Sequence, residues 1–253
     1  MAMQGRVALV TGGGRGVGRA ISLALAADGA AVAVNYRRDQ AAADDTVAEI
    51  RAGGGRAEAY RASVDDYDQN AAMVAAVEAD LGAIGILVHN AGIASRGMSV
   101  VDTEPDELRR VLATHALGPH YLSKLAIPQM RTLERGDVVM ISSVATRGLS
   151  ANGAPYNMGK TALEALAVTL SREERGNGIR VNVVAPGLVE TEMGRRLMKA
   201  TAGVTDLRTL DSASPFGRVC QPEDVANVVR FLVSEQNTYV TGQKIYCDGG
   251  GPG

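Results

Sequence analysis

Tyr156 and Lys160 stand four residues apart in a stretch that reads as helix, so both side chains share one face, about one turn apart. Of the seven Tyr in the chain only Tyr156 has a Lys at that offset, and there are four Lys against 22 Arg. The pairing has a chemical use. A phenol of pKa about 10 is a poor base at neutral pH, and bringing it to about 7 requires about 4 kcal/mol of preference for the anion. One ammonium about 4 Å away, at an effective dielectric of about 20, supplies about that much. Lys is the compact charge suited to the task, and the positive end of the helix adds to it. Ser143, closing an apolar run over 137–143, would bond the same oxygen and hold it in place. The bland alternative for the pair alone is a Tyr packed on a helix beside a solvated Lys.

A second cluster lies near the start. Residues 7–10 form a short apolar strand, a glycine-rich turn follows (Gly12, Gly13, Gly14, Arg15, Gly16), and a helix opens from it through Val17 and Gly18. Glycines let the backbone take positive φ and approach a ligand, and the free N–H groups of the helix start attract an anion, so the combination reads as a phosphate cradle. The Gly-x-Gly-x-x-Gly fingerprint is not met in any register; the spacing is the wider Thr11-Gly12-x-x-x-Gly16-x-Gly18. At the end of the next apolar strand (31–35) comes Tyr36-Arg37-Arg38. An acid there would bond the ribose hydroxyls of NAD, whereas an Arg would pair with the extra phosphate of NADP. Arg37, with Arg15 from the turn, favours NADP(H), and Asp39 close by keeps NAD open.

The elements that must position these groups alternate. Helical patterns over 16–28, 40–52 and 66–81 follow strands at 7–10, 31–35 and 56–62, and another apolar strand, 85–89, runs into Asn90-Ala91-Gly92. Pro105 suits the first turn of a long helix reaching towards Met130, bent or ended by Pro119 and Pro128. After strand 137–143, a helix begins near Tyr156 and continues to about Gly176; a sixth strand, 179–184, stops at Ala185-Pro186-Gly187. From 190 to 215 the pattern loosens into a polar, Thr/Met/Arg-rich stretch, expected to be a mobile substrate lid. A helix over 222–234 and a strand over 243–247 close the chain. Alternation of this kind argues for a parallel sheet covered on both faces, which binds ligands at the C-terminal ends of its strands.

No linker, charge block or repeat divides the 253 residues, so one domain is expected over 1–253. Net charge is −2 with both signs interspersed, which suggests neither nucleic acid nor a membrane surface as partner. No signal-peptide pattern precedes the first strand and no apolar run approaches a membrane span, so a cytoplasmic protein is expected. Cys220 and Cys247 are too few and too far apart for a disulfide framework or metal site, and read as structural; the three His fall in no ligand spacing, so no metal is expected.

These motifs together resemble those of the short-chain dehydrogenase/reductase family over essentially the whole chain. Thr11-Gly12-x-x-x-Gly16-x-Gly18 is similar to the family's cofactor motif and Asn90-Ala91-Gly92 to its Asn-Ala-Gly motif under the adenine ring. Ser143, Tyr156 thirteen residues later and Lys160 four beyond match its catalytic set, and Pro186-Gly187 with Val189 and Thr191 resembles the turn that contacts the nicotinamide. The resemblance implies a doubly wound Rossmann fold with seven parallel strands in the order 3-2-1-4-5-6-7. It also implies a cofactor set of Gly12, Gly14, Arg15, Gly16, Val17, Gly18, Tyr36, Arg37, Ser63, Val64, Asn90, Ala91, Gly92, Tyr156, Lys160, Pro186, Gly187, Val189 and Thr191.

Two positions depart from the pattern. His115 takes the place of the Asn that completes the family's catalytic tetrad, whose role is to hold a water relaying protons to the lysine; a His can bond water too. Ser63 replaces an Asp that bonds the adenine amino group. Within the family the chain is most similar to 3-oxoacyl-[acyl-carrier-protein] reductases, NADPH-dependent tetramers. That likeness implies a homotetramer acting on an acyl thioester, with acyl carrier protein as a candidate partner. Arg131, Arg135, Arg172 and Arg175 could form the basic docking patch such a partner needs, but Glu134, Glu173 and Glu174 interrupt it, and the sequence leaves the choice open. An NAD-dependent dehydrogenase of a steroid, sugar or polyol, and a non-catalytic NADP-binding sensor or scaffold, are the alternatives.

Overall fold

A computed structural model describes residues 3–251. Seven strands, β1 (Val7–Val10), β2 (Ala31–Tyr36), β3 (Ala57–Arg61), β4 (Ile84–His89), β5 (Gly136–Ile141), β6 (Ile179–Pro186) and β7 (Lys244–Cys247), form one sheet in the order β3-β2-β1-β4-β5-β6-β7. Every pairing is parallel. This is the expected single-domain doubly wound sheet, and it follows from strands that are apolar on both faces: β1, β4 and β5 are buried along their whole length.

The period-2 alternation along each strand sends side chains into two cores. On one face Val10, Val34 and Val88 pack with Ile21 and Leu25 of α1 (Gly16–Ala27), Val47 and Ile50 of α2 (Gln40–Ala52) and Val225 and Val229 of α9 (Pro222–Val233). On the other, Leu9, Leu87 and Met140 pack with Val77 of α3 (Tyr67–Leu81), Leu122 and Met130 of α5 (Gly118–Met130) and Leu163 of α7 (Ala154–Glu174). The chain leaves β1 for β2 on one side and returns to β4 on the other, which opens a crevice at the C-terminal ends of β1 and β4.

Two expectations change. The single helix from Pro105 to Met130 is α4 (Pro105–Leu112), a wide π turn over Ala113–Leu117, and α5; Pro128 lies inside α5 without ending it. The widening has a local cause: Pro119 has no N–H to donate, and the Gly118 N–H reaches back five residues to the Ala113 carbonyl. The stretch 190–215 is also more regular than its pattern suggests. Thr191 caps α8 (Glu192–Ala202), its hydroxyl accepting the Gly194 N–H at 3.1 Å, and two 3₁₀ turns follow. Only Gly194 and Leu207 are buried in these helical pieces, and Met193 and Leu197 lie exposed on α8. The short α6 (Ala145–Gly148) lies between β5 and α7.

Candidate active site

At the C-terminal edge of β1 the chain turns through Gly12 and Gly16, both at positive φ, +61° and +52°. Side chains from neighbouring strands buttress the turn from below. The Thr11 hydroxyl donates to the Val88 carbonyl and accepts the N–H groups of Asn90 and Ala91, each at 2.9 Å. The Asn90 amide donates to the Thr11 and Gly12 carbonyls at 2.9 and 3.2 Å, so this residue shapes the turn through its backbone. Asn35 accepts the Gly12 N–H while donating to the Ala62 carbonyl, and the hydroxyls of Ser22 and Thr46 bond the Gly13 and Gly14 carbonyls. A Cβ on Gly18 would fall 2.2 Å from the Gly12 oxygen. With Thr11 of the glycine motif, Ser22, Asn35 and Thr46 carry the turn, although the spacing of these three in the chain does not mark them as site residues.

The first N–H groups of α1 find no side-chain cap, and its first turn holds no acid. An uncapped helix start beside a positive-φ glycine turn fits a pyrophosphate, the part of a dinucleotide that Gly14, Val17 and Gly18 were expected to approach. At the end of β2, Arg37 is exposed and forms no ion pair among the described residues, whereas Asp39 caps α2 through the Ala42 N–H and faces Arg15 at 3.8 Å. Tyr36, between β2 and Arg37, is half-buried. Ser63 donates its hydroxyl to Asp65, a carboxylate two residues on that spacing did not single out, and the carbonyl of buried Val64 accepts from Asn70 at 2.7 Å.

The catalytic candidates meet beyond β5. Ser143 bonds the phenol of Tyr156 and accepts the Ala145 N–H at 3.2 Å. Lys160, 4% exposed, donates to the Ile141 carbonyl at 2.7 Å, and its Nζ lies 5.8 Å from the centre of the Tyr156 ring. Burial pulls Lys160 down to about 8, against the opposing charge of Glu164. Here the charge argument from sequence is corrected. Burial raises the Tyr156 phenol, and what opposes it is the Ser143 hydrogen bond, not the lysine. The reason is geometric: the ammonium is turned to a backbone carbonyl and loses part of its own charge to desolvation.

His115 sits on the π turn, buried, its ring edge-on to Tyr156 with centroids 5.2 Å apart. Nε2 lies 2.8 Å from the Ile93 carbonyl and 3.2 Å from the Ile93 N, and Nδ1 is buried without a hydrogen-bond partner. Burial, then the charge of Lys160, lowers its pKa to about 3. A Cβ on Gly92 would come 2.8 Å from its Cε1 and one on Gly159 2.9 Å from its Cβ, so both glycines make room for this residue. Glu164, one turn beyond Lys160, takes the hydroxyls of Ser142 and Thr146 at 2.5 and 2.7 Å and the Lys244 ammonium at 2.8 Å. It fixes the segment that carries Ser143, and the i+4 step from Lys160 was the signal for it.

The turn expected to contact the nicotinamide closes the site. Gly187 donates to the Cys247 carbonyl at 3.1 Å, Glu190 to the Cys220 carbonyl at 2.8 Å, and Val189 is buried beside Cys220. Thr191 reaches across to the glycine turn, its Cγ2 3.3 Å from where a Cβ on Gly16 would lie. Pro186 and Val144 are joined by a hydrogen bond of 3.0 Å, which ties this turn to the Ser143 loop. The four arginines weighed as a docking patch are not all free: Arg131 pairs with Glu174 and Arg135 with Asp137.

A family model described as enoyl-(acyl carrier protein) reductase matches residues 12–251. An uncharacterized oxidoreductase of Methylorubrum extorquens is 38% identical over 98% of each chain. A 3-oxoacyl-[acyl-carrier-protein] reductase of Synechocystis is 34% identical, again over 98% of each. Among solved structures, the angucycline C-6 ketoreductase LanV with bound NADP is 34% identical with a TM-score of 0.88, over 98% of this chain and 96% of that one. NAD+-bound xylitol dehydrogenase is 28% identical with a TM-score of 0.91, over 99% and 100%. With its sheet order, nicotinamide-cofactor relatives and end-to-end matches in agreement, the chain belongs to the short-chain dehydrogenase/reductase family of oxidoreductases.

Proposed function

We propose that this enzyme uses NADPH to reduce the carbonyl of a 3-oxoacyl thioester to the 3-hydroxyacyl thioester. The observation that carries the reading is Tyr156, kept protonated by burial and bonded to Ser143 at the mouth of the crevice. A neutral phenol is the proton donor that carbonyl reduction requires. The nicotinamide supplies the hydride. Ser143 polarises the carbonyl oxygen, Tyr156 protonates it, and Lys160 holds the ribose and restores the proton of Tyr156. The buried, unpartnered Nδ1 of His115 bonds the water that links Lys160 to solvent, taking the role of the family's Asn.

Gly12, Gly14, Gly16 and Gly18 with Arg15 and Val17 seat the pyrophosphate, and Ser63, Val64, Asn90, Ala91 and Gly92 form the adenine side. Arg37 takes the extra phosphate, with Tyr36 beside it, while Asp39 is engaged in capping α2. The 190–215 segment serves as the lid; exposed Met193, Leu197 and Leu149 suit an alkyl chain better than a polyol. With Arg131 and Arg135 paired, only Arg172 and Arg175 of the four remain for acyl carrier protein, so a coenzyme A thioester is an equal candidate carrier. The same family likeness supports a homotetramer working in the cytoplasm; among the described residues no helix is long and apolar enough to cross a membrane.

The likeness to NAD+-bound xylitol dehydrogenase favours one other reading, NAD-dependent oxidation of an alcohol. Initial rates of NADPH and NADH oxidation with an acetoacetyl thioester separate the two. Turnover preferring NADPH supports reduction of an oxoacyl group. Turnover of a polyol with NAD and none with the thioester overturns it, and tight NADPH binding without turnover of any carbonyl leaves a binding protein.

A further inference from the structure

Cys220 and Cys247 are 27 positions apart in the chain and both free, yet the fold brings both against one turn. Cys247, ending β7, is paired with Pro186 and accepts the Gly187 N–H; Cys220 bridges to Val189 and accepts the Glu190 N–H. Residues 186–190 are thus hydrogen-bonded to both cysteine-bearing segments. Both side chains point to the same sheet face and pack on the same core, with Ile245 and Val228. Each is half-buried, so both sulfurs are sheltered by packing and still within reach of a small oxidant. We propose that Cys220 and Cys247 form a reversible disulfide, a redox modification site that clamps the turn to which both are bonded and lowers activity.

The chemistry needs two thiols and one two-electron oxidant. The thiolate of Cys247 attacks a peroxide oxygen, breaking the O–O bond to give a sulfenic acid and hydroxide. The Cys220 sulfur then attacks that sulfur, forming the S–S bond and expelling the sulfenic oxygen as water. In sum, two thiols and one hydrogen peroxide give one disulfide and two waters, and a dithiol reductant reverses the change by exchange. The roles follow from the local field. The Cys220 thiol beside it holds Cys247 below the ordinary thiol range, and the same contact pushes Cys220 up. The attacking sulfur is the one with more thiolate, and the resolving sulfur is its neighbour. Disulfides of proteins in reducing compartments are characteristically transient and redox-sensing, which is the behaviour expected of this pair.

Forming the bond draws the end of β7 and the Cys220 segment together and moves the turn bonded to both. The loss of activity rests on the proposed role of Val189 and Thr191 at the nicotinamide; the cross-link itself does not. A misplacement of about 1 Å at such a turn costs about tenfold to a hundredfold in kcat/KM. The test treats the purified, reduced full-length protein with hydrogen peroxide. It then counts titratable thiols, maps the intact mass and the peptides, and measures NADPH binding, with and without a later dithiol. The expected result is a fall from two thiols per chain to none, a loss of two hydrogens in mass, a peptide joining Cys220 to Cys247, and weakened binding restored by the dithiol. C220S and C247S each abolish the response, and rescue of sensitivity by either single variant speaks against an intramolecular bond. Two thiols that persist, an uptake of oxygen atoms without cross-linking, or a bond between chains on a non-reducing gel overturns the proposal. A cross-link that leaves NADPH binding unchanged overturns the switch, and the thiol and mass readouts stand whatever the substrate proves to be.

Discussion

In the half of the site proposed for the dinucleotide, β1, α1 and β2, the groups offered to a ligand are the uncapped backbone N–H groups of α1, and the polar side chains of Thr11, Ser22, Asn35 and Asn90 hold the turn before them through its backbone. In the catalytic half, β5, α7 and β6, the working groups are side chains, and burial sets their protonation: Lys160 is drawn down to about 8 and Tyr156 is raised. The contrast follows from what each half must do. A pyrophosphate keeps one charge at all working pH values and can be met by fixed dipoles, whereas a proton donor must change state and needs an environment that tunes it. Side-chain loss should therefore damage the second half chemically and the first geometrically.

The sharpest break between the halves is Tyr156→Phe. We expect kcat to fall by about 10³-fold or more with the NADPH dissociation constant within about twofold of the parent. Fluorescence titration beside initial rates checks both, and a parallel loss of binding would erase the distinction. A matched pair of glycine substitutions probes the geometry. Gly18→Ala drives a Cβ against the Gly12 oxygen and should weaken NADPH binding by about tenfold to a hundredfold, while Gly159→Ala presses on His115 and should lower kcat with a smaller change in binding. If each variant moved the other's parameter, the halves would be one mechanical unit. Arg37→Ala should raise KM for NADPH by about tenfold or more and leave KM for NADH within about twofold, because only the extra phosphate is lost to it. Equal effects on both cofactors would remove Arg37 from the phosphate site.

Sequence spacing exposed the parts whose chemistry is local. The glycine turn is a run of adjacent residues, Tyr156 and Lys160 are one helical turn apart, and the strand–helix alternation carried the sheet order through the family resemblance. What stayed hidden depends on contacts between distant segments. Asn35 and Thr46 reach the turn from β2 and α2, and Cys220 meets Cys247 only because both segments pair with the chain at and just beyond the end of β6. The direction of the Tyr156 shift was misjudged for the same reason: a four-residue spacing gives proximity but not burial, nor the carbonyl that Lys160 turns to. The π turn is a consequence of Pro119 in a helix whose far side is locked by His115 between two glycines, and no periodicity displays that.

The smallest effect tests burial itself. His115 and His89 are both lowered to about 3 by desolvation, His89 with its Nε2 3.1 Å from the Ser123 hydroxyl. The folded state keeps both neutral down to that range, whereas the unfolded chain protonates them near 6.5. Between pH 6.5 and about 3 the unfolded state therefore binds more protons, and stability falls as pH falls, by about 1.4 kcal/mol per pH unit for each histidine once well below 6.5. Lys160 has the same sign in another window: stability rises as pH goes from about 8 towards 10.5. His115→Asn restores the family's residue and removes one of the two acid titrations. Urea unfolding followed from pH 7 to pH 5 should show the variant losing about half as much stability as the parent, with kcat at pH 7 within about tenfold because Asn also bonds water. An unchanged acid slope would mean that His115 takes up its proton inside the fold, against the burial that holds it neutral.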